Sequence, residues 1–536
     1  MAHMNRRQWL ASGAAAIVPA LLKAQTKTYN ITDYGARGDG KTLNTQAVQA
    51  AIDACHKERG GTVLVPAGVF VIGTVELKSY VTLHLAPAAK LMGSADGKQY
   101  HAVDAIPLHG DSTLNDGNVG LIFAVDAENV TVEGQGTIDG QGLQFRSPSR
   151  GTPPPSGRGG ADRPYHLLFH RCKNLRVRDI TLVDCAFHSI RVIQSHYVWM
   201  DGLHIHNRVN SNNDGFHFIS CENVHVNGCD IETQDDACAL FGSCRMVTVA
   251  NSTFSTRWSV FRFGGGNPED VSVSNCIIYQ TYGCPIKLHF GPESKVQNLL
   301  FSEIEMHDVT GPISINLSNK SRGGATPTER GYLRNIRFNA IHATVVEQGR
   351  QYPDMAFPQN YRPGELRQAI VLNALEGTSI EDVSFSNVHI TYEGGGTLEE
   401  ARREIPQVAG EYFEIGTPPA YGLYARNVHG LRMNDVQFDV LKADQRPAVV
   451  LDHVSRATMN LVAVQGNPQA AAAMRFVESR GVLVTSPRVM GQASALLSVE
   501  GSGTADIVVD GGDLSTAGKT ATFGGGAVQN SVRVRE

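Results

Sequence analysis

The sequence predicts an all-β chain wound as a single right-handed parallel β-helix, with an N-terminal capping helix and long loops rimming a groove. Three observations predict it. First, segments 128–134, 222–229, 269–276 and 381–388 share one pattern: an acidic residue, Asn or Asp, an apolar–polar–apolar alternation and a small-residue corner. Related units begin near Asn174, Tyr197, Met246, Val296, Leu333, Val428, Ala457 and Ala505. Second, each alternating run is too short to bury its own apolar face, so the runs must stack on their neighbours in irregular repeats of about 20 to 30 residues. Third, 55 glycines and a 7% aromatic share suit a turn-rich β protein. A sandwich of antiparallel hairpins would need two-residue Asn-Gly or Asp-Gly turns between matched strands, whereas these corners are single small residues inside longer units.

Residues 1–24 are set apart from the fold. Residues 1–4 read as a vector remnant, and Arg6-Arg7 followed by an apolar run to Leu22 resembles a twin-arginine export signal with a cleavage point after Ala24. The segment is short of the roughly 20 apolar residues a membrane span needs. The expectation is a periplasmic or secreted protein whose single domain covers residues 25–536 and which acts as a monomer.

Next, residues 34–40 form a Gly-rich turn ahead of a helix that begins near Asn44 or Thr45 and carries apolar residues at spacing three to four. Such a helix would cover the open end of the solenoid and hide its edge strands. The turn lacks the glycine order of a nucleotide cradle. Residues 60–68 follow as turn, strand and turn. Three interruptions then break the repeats: 143–164, with a Pro153-Pro154-Pro155 run; 317–331, polar and basic; and 394–421, where residues 398–403 read as a short helix. Long excursions from a stacked scaffold commonly rim a binding face.

Charge and cysteine usage exclude several classes. With 47 basic and 52 acidic side chains the net charge is −5, which argues for neither a nucleic acid nor an anionic membrane as partner. Nine cysteines crowd mainly the central third without a CxxC array, so a zinc site is not expected and at least one thiol is unpaired. Stacked small residues account for most of them, with one or two disulfides compatible with an oxidising compartment.

The chemistry lies in the acids. Twenty-one positions, close to one coil, separate Asp214 from Asp235, and Asp236 follows. Segments one coil apart lie side by side, so three carboxylates can share one surface. Adjacent strand residues point to opposite faces, so presenting both Asp235 and Asp236 requires a bulge or corner. Glycoside hydrolysis needs one protonated acid and one ionised carboxylate, and crowded acids supply both because repulsion raises one pKa. Calcium ligation and simple corner capping are alternatives on spacing alone.

The chain resembles the polygalacturonase family, glycoside hydrolase family 28. The resemblance rests on the opening residues 30–40, on Asn212-Asn213-Asp214 for the family's Asn-x-Asp motif and on Gln234-Asp235-Asp236 for its Gly-Asp-Asp motif. It implies a right-handed β-helix acting on a pectic carbohydrate by an inverting mechanism, with no metal and no cofactor. It further implies Asp235 as general acid, and Asp214 and Asp236 as the carboxylates that activate water.

Two family motifs are altered. No histidine stands where the Gly-His-Gly motif belongs, and residues 255–264 carry Trp258 and Arg262 instead. The Arg-Ile-Lys motif, used to grip uronic carboxylates, appears as Pro285-Ile286-Lys287, which removes a bidentate fork and leaves a point charge. The candidate substrate-binding residues are Asn212, Trp258 as a stacking platform with core packing as its alternative, Arg262 as a replacement cation or else a solvated strand residue, Lys287, and His188 on the preceding coil, for which a satisfied histidine is the competing reading. These departures favour a site other than a plain polygalacturonate groove, such as rhamnogalacturonan or a terminal rhamnose. A lyase and a non-catalytic carbohydrate-binding solenoid are the competing classes.

Overall fold

A computed structural model describes residues 27–108, 117–149, 151–321, 329–411 and 413–535; the export segment expected over residues 1–24 lies outside them. Short strands coil into a right-handed parallel β-helix whose walls are a 15-stranded sheet and a 26-stranded sheet. Within the larger sheet two ladders run side by side until strand Glu269–Tyr279, which pairs with both Arg245–Ala250 and Thr253–Thr256 and from which longer strands carry both. Pairings between the named strands are parallel, including the very first coil, where Thr28–Asn30 lies against Gly61–Val65. The hairpin sandwich is therefore excluded.

The repeat pattern explains the coil residue by residue. Its Asn or Asp takes the left-handed conformation at the corner, with φ of 55° at Asn129, 57° at Asn174, 56° at Asn223, 56° at Asp270 and 49° at Asp382. Short polar side chains tolerate this region far better than β-branched ones. They also bond from coil to coil: Asn335 Nδ2 donates to Asn298 Oδ1 at 2.6 Å, and Asn298 Nδ2 to Asp270 Oδ1 at 2.8 Å. The alternating apolar residues point inward and stack in register, as in Val198, Val224, Val247, Val271 and Leu299, all buried. Further along, Phe301, Phe338 and Phe385 stack at centroid distances of 5.3 and 5.0 Å.

The N-terminal helix Thr45–Lys57 packs on the first strands through buried Val48, Ala51, Ile52 and Cys55, as the end-cap reading requires. Asn44 occupies the N-cap position, yet its side chain serves the preceding loop, accepting from the Arg37 N–H at 2.7 Å. The short helix read within 394–421 is Leu398–Ala401, started by a capping box between Thr397 and Glu400. All nine cysteines are buried free thiols, as stacked small residues would be, and the one or two disulfides left open by the sequence are not formed. Burial pushes the Cys172 thiol up to about 11 and that of Cys229 to about 12. No helix among the described residues is long and apolar enough to cross a membrane.

One excursion had no sequence signal. Residues 346–369, between Tyr332–Val345 and Ile370–Ala374, leave the coil as a fourth long loop. It is anchored by a buried pair in which Arg257 Nη2 donates to both oxygens of Glu365 at 3.0 Å, with a further bond to the Asn360 carbonyl at 2.9 Å.

Candidate active site

The 15-stranded sheet positions the site. Its strands Phe216–Ile219, Cys238–Phe241, Phe261–Gly264 and Ile286–Phe290 are consecutive neighbours, and the first two are entered from corners carrying Asn213-Asp214 and Asp235-Asp236. Apolar residues at the first and third strand positions face the core. The second positions form one outward row in register: Arg191, His217, Ala239, Arg262 and Lys287. Neighbouring strands lie about 4.8 Å apart, so Arg262 and Lys287 become adjacent cations on one wall.

The acids occupy the corners. Asp235 and Asp236 fall between strands Asp230–Thr233 and Cys238–Phe241, so neither obeys strand alternation and both reach the cleft. The backbone of this corner is over-determined. The Asp235 carbonyl accepts from Thr233 Oγ1 at 2.7 Å and Thr256 Oγ1 at 2.5 Å, and its N–H donates to the Asn213 carbonyl at 3.2 Å. Asp235 Oδ1 accepts the Asp236 N–H at 2.9 Å, while Asp236 Oδ1 accepts the Ser259 N–H at 3.2 Å. Asn213 holds the coil before it, accepting the N–H groups of Val209 and Asn210 and donating to the carbonyls of Cys185 and Phe187.

Burial first, then the charges of Asp214 and Asp236, push the Asp235 carboxyl well above the usual carboxylate range, against a smaller opposing pull from Lys287. Asp235 therefore keeps its proton when an ordinary aspartate has lost it. Asp214 is only 5% exposed. His217 Nδ1 lies 3.2 Å from its Oδ2 and His188 Nε2 lies 3.5 Å from its Oδ1, with the two imidazoles stacked at 4.6 Å and nearly parallel. Burial, followed by the neighbouring His217, Arg191 and Arg163, drives the His188 pKa well below its ordinary value, so that ring is neutral.

Asp235, Asp236, Asn212, Trp258, Arg262 and Lys287 line one cleft of about 450 Å³. His188 is not among its lining residues. It is 3% exposed and packed between Tyr165, Phe187 and His217, so the sugar contact expected of it gives way to a place behind Asp214. Asn212 is exposed, takes φ 54° and accepts from Arg163 Nη2 at 3.2 Å. At Asn212 the cleft meets a second cavity of about 450 Å³ between loop 143–164 and Phe357. Trp258 is half-buried outside the solenoid interior, with Gly283 so close beneath it that an added Cβ would lie 2.5 Å from the Trp258 Cα.

The loops contribute residues that sequence reasoning missed. Arg362 comes from loop 346–369, and Glu411, Phe413 and Glu414 from loop 394–421. Phe413 faces Trp258 at 6.1 Å, and the Arg362 guanidinium lies 4.0 Å from the Phe413 ring centroid. His217, on the row with Arg262, was also missed, although its alternation within 216–219 marks it as outward-facing. Among the described residues, two groups place three potential metal ligands within 4.8 Å of one another: His188, Asp214 and His217, and His206, Glu232 and Asp354. Each sits beside guanidinium charge, Arg191 and Arg163 acting on the first, and Arg208 Nη1 2.8 Å from Asp354 in the second, which disfavours a further cation.

Residues 55–354 match the family described as Glycosyl hydrolases family 28. A probable polygalacturonase of Vitis vinifera is 30% identical over 228 residues, 41% of this chain and 45% of that protein. An exo-poly-alpha-D-galacturonosidase of Dickeya chrysanthemi is 31% identical over 256 residues, 40% of this chain and 42% of that protein. The chain thus spans less than half the length of these two relatives. Among solved structures, the Yersinia enterocolitica family 28 exopolygalacturonase superposes with a TM-score of 0.62 at 20% identity, covering 82% of this chain and 79% of its own. With more than half of its length matched and the acidic corners in the order described, this chain belongs to glycoside hydrolase family 28.

Proposed function

We propose that the protein is an exported, inverting glycoside hydrolase that cleaves pectic polysaccharides or their oligosaccharides. The observation that carries the reading is the placement of Asp235 and Asp236 together on the cleft, with burial and the nearby charges of Asp214 and Asp236 raising the pKa of the Asp235 carboxyl. Asp235 donates its proton to the departing glycosidic oxygen. Asp214 and Asp236 accept hydrogen bonds from a water on the opposite face of the sugar and take its proton as it attacks the anomeric carbon. His217 orients the Asp214 carboxylate through the 3.2 Å contact. Two cavities meeting at Asn212 give room for more than one sugar unit, and Trp258 and Phe413 offer apolar faces to pyranose C–H groups. The relatives' names, polygalacturonase and galacturonosidase, support a pectic substrate.

Single-turnover hydrolysis followed by proton NMR tests the mechanism: the first product carries the inverted anomeric configuration. Retention, or an unsaturated product absorbing in the ultraviolet, would refute it.

A further inference from the structure

Lys287 is 3% exposed and, with Arg262 beside it in the outward row, is the strongest positive feature of the cleft. A buried ammonium needs a counter-charge. It has one from within the chain: Lys287 Nζ donates to Glu411 Oε2 at 2.9 Å, and Arg262 Nη2 lies 3.7 Å from Glu411 Oε1. One carboxylate therefore bridges both cations. Burial would raise its pKa, but Lys287, Arg262 and Arg362 outweigh that and hold Glu411 below the usual range, so it is ionised.

The segment carrying Glu411 is fastened on both sides. Before it, the Val408 carbonyl accepts from Asn373 Nδ2 at 2.9 Å, and the carbonyls of Ile405 and Pro406 accept from Arg426 at 2.9 and 3.0 Å. After it, Ile415 is fully buried in a small core with Val371 and Tyr424, and the Gly416 carbonyl accepts from Gln368 at 3.1 Å. At the turn itself the Glu411 N–H donates to Glu414 Oε2 at 3.1 Å, and the Glu414 N–H donates to the Glu411 carbonyl at 2.8 Å. This carboxylate is built in, unlike the tip of a loose lid.

From this we infer that Glu411 is a specificity-determining residue that occupies the anion position of the cleft, so that the subsite beside Trp258 accepts a neutral sugar or an esterified uronate and disfavours a free one. A uronate carboxylate arriving there meets Glu411 at short range and finds its cations already engaged. The inference rests on the proposed action on pectic sugars.

The test compares trigalacturonate with its methyl ester, two probes of nearly the same shape that differ in charge. Asp235→Asn, which copies the neutral acid, slows turnover by about 10² to 10⁴, enough to keep the probes intact during a titration. Calorimetric titration of the full chain is run in that background, with Glu411 intact, with Glu411→Gln, and with Glu411→Gln plus Lys287→Met. With Glu411 intact, the ester binds at least as tightly as the acid. Glu411→Gln strengthens binding of the acid about tenfold or more, the scale of one charge-assisted contact, and changes the ester less than about threefold. Adding Lys287→Met abolishes the gain. An acid-to-ester ratio unmoved by Glu411→Gln, or an acid that already binds more tightly with Glu411 intact, overturns the role of Glu411 while leaving the pectic reading in place. Failure of both probes to bind any of the three proteins overturns the pectic reading along with it.

Discussion

Replacing Glu365 by Gln removes half of a deeply buried ion pair at the base of loop 346–369. Arg257 and Glu365 have side-chain exposures of 5% and 2%. Stranding one member of such a pair costs about 3 to 5 kcal/mol, because the remaining charge stays desolvated. Here the Arg257 guanidinium keeps the carbonyls of Asn360 at 2.9 Å and Tyr282 at 3.3 Å, and the Tyr361 ring at 4.2 Å. The lower end, about 3 kcal/mol, is therefore expected. The loss falls on loop 346–369, since Glu365 joins that loop to the coil and Arg257 belongs to the coil. At tenfold per 1.4 kcal/mol, amides of the loop should exchange with solvent about a hundredfold faster. Hydrogen-exchange mass spectrometry reads this directly, with the coil strands 216–219 and 238–241 as an internal control. Unchanged protection of the loop, or equal loss in those strands, would refute the assignment of this pair as the local anchor.

Two further outcomes follow from the electrostatics and the core. In the proposed mechanism the proton on Asp235 is the active one, so activity falls as pH rises through its raised pKa; Asp236→Asn removes a negative neighbour, lowers that pKa and moves the alkaline limb of kcat/KM to lower pH, so a limb that stays or moves upward contradicts the coupling. Thiol titration of the native chain should find none of the nine cysteines reactive and all nine after denaturation, with the reductant leaving activity unchanged; fewer than nine in denaturant without reductant would reveal a disulfide.

The coils were legible because their local and tertiary requirements coincide. Asn and Asp stand where the left-handed corner needs them, and Val or Phe recurs where the interior needs it, so a repeat in letters is a repeat in space. The acids were legible for the same reason, one coil being one step across the wall. Arg262 could be expected as a substitute cation, and register places it next to Lys287. The loops obey no such rule. Glu411 and Phe413 are held at the cleft by long-range bonds from their loop to Asn373, Arg426 and Gln368, and Arg362 belongs to the loop anchored by the Arg257–Glu365 pair; nothing periodic in segments 346–369 or 394–421 announces them. The reading of the cysteines as stacked small residues holds, because cysteines in a coil interior pack as small apolar groups beside their neighbours. His188 was only half legible: its place on the coil before the acids was readable, but its burial between aromatic rings was not.

Asp235 as the proton donor is most directly tested by Asp235→Asn on two substrates that share the sugar and differ in leaving group. A natural glycosidic bond needs the proton, and its turnover should fall by about 10² to 10⁴. An aryl glycoside whose phenolate leaves unaided should lose less than about tenfold in the bond-breaking step, because the water-activating carboxylates remain. Equal losses on both substrates would contradict the assignment of Asp235 as the acid.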